Sequence, residues 1–544
     1  HFSEDLLLSI FTSLSISDIV NVSLTCKQWW RVSQDDLLWK DFFLRDFQLK
    51  KGTCIAGGKT KWKDEYKRLK YHTPCIESQE LKYHKDQVLH VCFSNNGELF
   101  ATSSKDGTCK VWTSSHPCQL VFEYDMKKFH WKYTQFSQFN KSDTLLLVSG
   151  VHFGEGSTSG EIAVFSIVDN FELQSRMINK PYDIFGTWYN DTHLLSGSLY
   201  WTGQLNSCSA LWLNMASQAI ETENESVVMR LFKFHNENAS SIRTIMIANC
   251  YSDYQRFFRI SHNGSVERTF ENKGGDDGST ACASGSSTSQ ISESCLKHLE
   301  LDDLNNDLSL DDPVTTATLS CDNFNVEDAI LSDSDQYLCD KLLIFTLGSA
   351  AYTPHQIGLK RIKCLELENT NSKRDNRGNI LPNVANNTQG RDRTYDKVDK
   401  ILEMDGHIIG MSLSPDNRFL YVNCRPWPKN YKIDNPLQPP PLAQEIDIHV
   451  IDLYLMQEVG TMLKSHKAYT ANDECFFIFL NVSEEYVASG AEDKHGYMWD
   501  RHYGMCLQKF QHNDVVNSVA FNPINSEMLV TVSDDYSIKV WRSK

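Results

Sequence analysis

Apolar residues near the start of the chain recur at steps of three and four. Leu6, Leu7, Ile10, Phe11 and Leu14 form one row, and Ile19, Val22, Cys26 and Trp29 form a second. That spacing is the period of an amphipathic helix. Ser17-Asp18 stands before "IVNVSLTCKQWW" and reads as an N-cap, because a short side chain bearing oxygen accepts the free amide hydrogens of a first turn. Leu37, Leu38, Trp39, Phe42 and Phe43 close the segment. We expect three short helices over residues 3–47. Three tryptophans, Trp29, Trp30 and Trp39, crowd into "CKQWWRVSQDDLLWK". About 45 residues is near the lower limit for independent stability, and the apolar side chains exceed what so small a core can hide. The segment must dock on something.

Further along, the pattern changes to short apolar runs separated by turns, which reads as strands. Three stretches share one plan: His84 to Trp112, His466 to Trp499 and His512 to Trp541. In each, a His is followed by an apolar strand, a turn, a second strand, an Asp and a Trp. The step from Asp to Trp is six residues every time, at Asp106–Trp112, Asp493–Trp499 and Asp535–Trp541. An Asp in a tight turn can accept hydrogen bonds from backbone N–H groups and from the His. The Trp then falls in the third strand and packs between neighbouring sheets. We read His84, Asp106, Trp112 and their equivalents as structural. Four looser repeats start at Tyr133, Tyr182, Ser241 and Gly406, giving seven units. They resemble WD repeats, each of which makes one blade of a β-propeller. The last unit stops on its third strand, in "IKVWRSK". Residues 75–82 are placed to supply the fourth, pairing with the strand that ends at Trp541 and removing two open sheet edges.

The chain has 544 residues, which at ~150 residues per domain gives three or four units; the repeats override that count. The net charge of -17 argues against a nucleic-acid surface, which needs a basic field. Sixteen cysteines are scattered singly, without the usual zinc spacing, and fit free thiols in a reducing compartment. Neither a signal peptide nor an apolar run of transmembrane length is visible. We expect a cytoplasmic protein, with the nucleus as the alternative. Residues 269–338 are Gly/Ser-rich and then acidic, with the composition of a disordered insert, and a second polar insert spans 366–398. Both interrupt the fourth repeat. No phosphate-cradling Gly loop, nucleophile elbow or HExxH helix is present, and "GVHFGEGSTSG" lies between two expected strands as a hairpin loop. We assign no catalytic, cofactor-binding or metal-ligating residue.

The stretch "EDLLLSIFTSLSISDIVNVSLTCKQWWRVSQDDLLWK" carries in order the Leu-Leu, Ile-Phe, Leu, Cys-x-x-Trp and Leu-Trp positions of an F-box, which it resembles. His1-Phe2 stands where that family has Leu-Pro. With the repeats, the chain resembles the F-box/WD-repeat family of ubiquitin-ligase substrate receptors over nearly its whole length. The resemblance implies a mainly β fold with a small α domain: N-terminal F-box helices followed by a seven-bladed WD-repeat β-propeller. We place the F-box at 1–48, a helical linker at 49–74 and the propeller at 75–544. The F-box would bind the Skp adaptor of a cullin-RING scaffold through Leu7, Ile10, Phe11, Leu14 and Val22, supported by Trp29 and Trp39. The propeller would hold protein substrates for ubiquitination and proteasomal degradation. The covalent step would belong to a conjugating enzyme held nearby, making this chain a non-catalytic adaptor. In related receptors, basic residues on one propeller face read acidic or phosphorylated segments. The candidates here are Lys105, Arg425, Lys494 and Arg501, with Trp427 on a neighbouring loop. Two alternatives stay open. One is the other cullin class, reached through the damaged-DNA-binding-protein adaptor; its receptors end a repeat in Trp-Asp-x-Arg, where this chain has Trp499-Asp500-Arg501-His502. The other is a non-degradative WD-repeat scaffold. No nucleic acid, membrane insertion or cofactor is expected.

Overall fold

Each of the first four N-terminal helices forms where a capping side chain meets an apolar row. The computed structural model describes residues 2–154, 157–217, 227–249, 340–363, 395–438, 440–441, 443–459, 463–467 and 477–544. Five helices lie among them: α1 (Glu4–Thr12), α2 (Ile16–Ser23), α3 (Lys27–Ser33), α4 (Asp36–Asp46) and α5 (Trp62–Tyr71). Residues 3–47 thus hold four helices rather than three. The run read as one helix breaks after Ser23, and the Cys26 sulfur accepts from the Trp29 amide to start α3. The cap of α2 is Ser15 rather than Ser17-Asp18. Its hydroxyl accepts from the Asp18 amide at 3.2 Å and donates to the Asp18 carboxylate at 2.7 Å, so one amide hydrogen of the first turn is satisfied.

Seven antiparallel sheets follow. Blades one to six occupy residues 88–125, 131–179, 187–236, 243–403, 406–467 and 480–511, and blade seven occupies 516–542. Blade four holds both inserts between its strands. Residues 269–338 of the first and 366–394 of the second lie outside the described residues. Strands are consecutive within each sheet apart from the outer strand of blade seven and a second edge strand in blade five, so successive turns alternate ends. Turns joining second to third strands, and crossings to the next blade, share what we call the upper face. Turns joining first to second and third to fourth strands share the lower face.

The ring closes as the sequence predicts. Ile76–Leu81 is the outer strand of blade seven, with Glu77 opposite Trp541 and Leu81 opposite Ile538. The axis is filled by aromatic rings. Phe185, ahead of blade three, lies 4.9 Å from Phe477, ahead of blade six. These blades are not neighbours, so the contact crosses the centre. His90 of blade one sits 4.5 Å from Phe136 and 4.7 Å from Phe479.

Blades one and seven share a buried hydrogen-bonded tetrad. His84 Nδ1 lies 2.8 Å from Asp106 and its Nε2 2.9 Å from the Thr102 hydroxyl, which accepts from the Trp112 indole at 3.0 Å. His512, Asp535, Thr531 and Trp541 repeat this at 3.2, 2.7 and 2.9 Å. The Asp and Trp roles read from spacing hold in these blades. His466 does not open blade six. Its backbone pairs with Ile446, placing it on the outer edge of blade five.

Candidate functional site

The helical end presents an apolar face, but not the one expected. Leu7 and Phe11 are each 1% exposed, and Trp39 is 4% exposed. All three belong to the core that α1–α5 share with blades six and seven. Leu14, Val22 and Trp29 are half-buried against it, with Trp29 meeting Phe11 edge-on at 6.0 Å. Of the expected docking residues, Ile10 alone is exposed, at 44%. The uncovered apolar side chains include Leu6 and Ile10 on α1, Val20 and Leu24 on and just after α2, Trp30 on α3 and Leu37 on α4. The cause lies in the helix period. Leu6–Ile10 and Leu7–Phe11 are both rows at a step of four, and spacing alone cannot say which faces inward. The signal available was the breadth of the apolar arc, wider than one buried stripe requires.

A buried ion-pair cluster joins the helices to the propeller. Arg68 on α5 donates to Glu65 at 2.6 and 3.0 Å and to Asp500 of blade six at 2.6 Å. Its guanidinium stands 5.3 Å from the centre of the Tyr486 ring. Burial opposes the charge on Arg68, and Glu65, Tyr486 and Asp500 more than restore it. Around this cluster, the Tyr503 hydroxyl accepts from the Ala56 amide at 3.1 Å and Phe43 packs on the Tyr503 ring. His72 meets Glu527 at 2.9 Å. Every propeller residue in this joint comes from the lower-face end of blade six or seven.

The upper face collects some of the expected substrate residues and excludes others. Lys105 and Lys494 both lie in turns between second and third strands, and Lys494 is exposed. Trp427 opens the long loop on the same face, its ring 4.9 Å from His355. Arg425 is excluded: it is fully buried and ion-paired with Glu492 of the next blade. Arg501 is excluded from this face as well. It follows the third strand of blade six on the lower face, and donates to the carbonyls of Ser483 and Glu484 at 2.9 and 2.8 Å. Lys105 is not an isolated cation either. Burial lifts the nearby Asp534 carboxyl to about 6, with Asn517 and Lys105 lowering it and Asp514 and Asp86 raising it further. The face between blades seven and one is therefore acidic, which argues against reading it as an anion site. Among the described residues, no group of His, Cys, Asp and Glu is arranged to hold a metal ion, and no helix is long and apolar enough to cross a membrane.

A small capped helical module joined to a closed seven-bladed ring, with the His-Asp-Thr-Trp tetrad in blades one and seven, defines an F-box and WD-repeat protein. The comparisons agree: residues 4–45 match the F-box-like family, and 75–113 and 504–542 match the WD domain, G-beta repeat family. The chain belongs to the F-box/WD-repeat family. It is 45% identical over 99% of its length to F-box/WD repeat-containing protein 5 of Mus musculus, covering 93% of that protein. The proteins of the same name from Rattus norvegicus and Homo sapiens are 44% and 43% identical, again over 99% of this chain and over 94% of each relative.

Proposed function

We propose that this chain is the substrate-receptor subunit of a Skp-cullin-F-box ubiquitin ligase. One observation carries the reading: Leu6, Ile10, Val20, Leu24, Trp30 and Leu37 lie uncovered on a helical module whose own core is already filled by Leu7, Phe11 and Trp39. Large apolar side chains left exposed together on one small folded module mark a partner's site, and each such side chain is worth ~1.5–3 kcal/mol when covered. Family membership supports the Skp adaptor of a cullin-RING scaffold as that partner. The upper propeller face, with Lys494 and Trp427, holds a protein substrate. The adaptor places it beside a conjugating enzyme, which performs the covalent step, and degradation follows. We place the complex in the cytoplasm or nucleus.

The test is co-purification with the Skp adaptor and cullin. Leu6→Asp with Ile10→Asp should abolish it while the thermal melt of the propeller stays unchanged. Retained binding in that variant overturns the reading. Leu7→Asp is not a clean test, because Leu7 is core. The same co-purification separates the route through the damaged-DNA-binding-protein adaptor, and a ubiquitination assay on captured proteins separates a non-degradative scaffold.

A further inference from the structure

The chain carries a net charge of -17, yet between residues 40 and 72 Lys and Arg outnumber Asp and Glu ten to four. α5 concentrates this reversal. Trp62, Tyr66 and Leu69 are buried in the shared core, and Glu65 and Arg68 are buried toward blade six. Lys63, Lys67 and Lys70, at steps of four and three, are left along the outward side. Lys67 and Lys70 are exposed, as are Lys50, Lys51 and Lys61 ahead of the helix. None of these five makes an ion pair among the described residues. Burial lowers the Lys63 pKa, and Lys67 and Lys61 lower it further while Asp64 opposes them. Like charges are thus crowded here, and Asp64 opposes them only in part. The strip adjoins the helical module directly: the Lys63 ammonium is 5.4 Å from the Trp39 ring and that of Lys40 is 5.5 Å from the Trp62 ring.

We propose that this basic strip steers an acidic flank of the partner that covers the apolar face of α1–α4, so that the adaptor lays a segment rich in Asp and Glu along α5. The inference rests on the receptor reading above. An acidic partner approaching a chain of net charge -17 is repelled at long range. Charges beyond a screening length of ~8 Å count for little at physiological salt. Near contact, therefore, the local lysines govern the encounter. Charges beside an apolar contact act mainly on association rate and salt dependence.

The experiment measures association and dissociation of purified Skp adaptor with the full chain, at low and physiological salt. It compares the wild type, Lys61→Glu/Lys67→Glu/Lys70→Glu, and Leu6→Asp/Ile10→Asp. All three lysines are exposed, and thermal melts verify that the triple variant is folded. The triple variant should associate about tenfold more slowly at low salt, dissociate at nearly the wild-type rate, and lose the wild-type salt dependence. Identical rates at every salt concentration overturn the steering proposal. If the apolar variant has lost binding in the same experiment, the receptor reading survives that result. A wild type that does not bind the adaptor overturns both. Binding of a short DNA duplex or of anionic vesicles through these lysines, with adaptor kinetics unchanged, also overturns the proposal.

Discussion

Blades one and seven differ from blade six in where their buried polar groups find partners. In blade one, Thr102 bridges His84 and Trp112 within its own sheet and the crossing beside it, and Thr531 does the same in blade seven. Ser489 holds the equivalent place in blade six, two residues on from the partner of Trp499. Its hydroxyl accepts from Asn423 of blade five. Asp493 receives the Tyr497 hydroxyl in place of a His, and Asp500 reaches out to Arg68 on α5. The tetrads of blades one and seven are self-contained, while blade six turns the matching polar groups toward its neighbours. Together with blade seven it ties the ring to the helices, and it does so with charge as well as apolar surface.

The largest expected effect follows from that joint. Arg68→Ala leaves Glu65 and Asp500, each with a side chain 1% exposed, without their shared cation. Breaking a buried pair by removing one partner costs about 3–5 kcal/mol. Denaturant unfolding should show that loss, together with earlier proteolysis in residues 49–61. A variant that unfolds like the wild type would make the joint mere contact, and the contrast between blades would lose its meaning.

A second effect is set by pH. Burial drives the His90 pKa from 6.5 down to about 3. The unfolded chain therefore binds a proton that the folded chain refuses between those values. The stability this gives is fully present above 6.5 and is lost as pH falls toward 3. At about pH 5 the loss is roughly 2 kcal/mol. His407 should add a parallel loss, since burial, helped by Arg425, Arg243 and His355, takes it to about 3 as well. His90→Phe keeps a ring between Phe136 and Phe479 but leaves the Ser137 amide without its acceptor. That penalty is the same at every pH, so the variant should be less stable near pH 7 and lose less on acidification. Equal acid sensitivity in both proteins would remove His90 from the account.

How much of this was legible depended on whether the partner was near in sequence. The six-residue step from Asp to Trp gave the blades, and the truncated last repeat gave the closure by Ile76–Leu81, because strand, turn and edge are local or simple topological facts. The reading of His466 failed because only the step from His to Asp, which spans a loop, supported it. The true first strand of blade six is three residues long, Leu480–Val482. Arg425 resembled a free cation at a strand end, yet its counterion Glu492 sits in the next blade. Lys105 comes near Asp534 only once the ring has closed. On α1 the period was right and the face was not, since the choice between Leu6 and Leu7 is made by α3 and α4, against which α1 packs.

The tetrads allow a finer cut. Thr102→Val and Thr531→Val each strip a buried indole N–H and a buried His of their shared partner, at a cost of about 1–3 kcal/mol. Ser489→Ala should cost less and act between blades, since it removes the acceptor for Asn423, whose amide keeps a second bond to the Ile478 carbonyl. Thermal melts of the three variants check the ranking. A Ser489→Ala loss as large as that of Thr102→Val would mean that blade six depends on a tetrad after all.

The smallest effect tests the border of the joint. Glu485 faces both ways: one oxygen meets Lys59 at 2.8 Å and the other lies 3.5 Å from Arg68. The Lys59 side chain is 41% exposed and that of Glu485 28%, against 10% for Arg68. A pair so open to solvent holds two long side chains against their entropy in a medium that screens their attraction, and is worth ~0.2–1 kcal/mol. Lys59→Ala should therefore shift the denaturation midpoint slightly at low salt and not measurably at high salt. A double-mutant cycle with Arg68→Ala decides whether the two cations act through one carboxylate. Near-zero coupling places Lys59 outside the joint. Coupling above about 0.5 kcal/mol would extend the joint through Glu485 to the surface, and with it the region of blade six that differs from its regular neighbours.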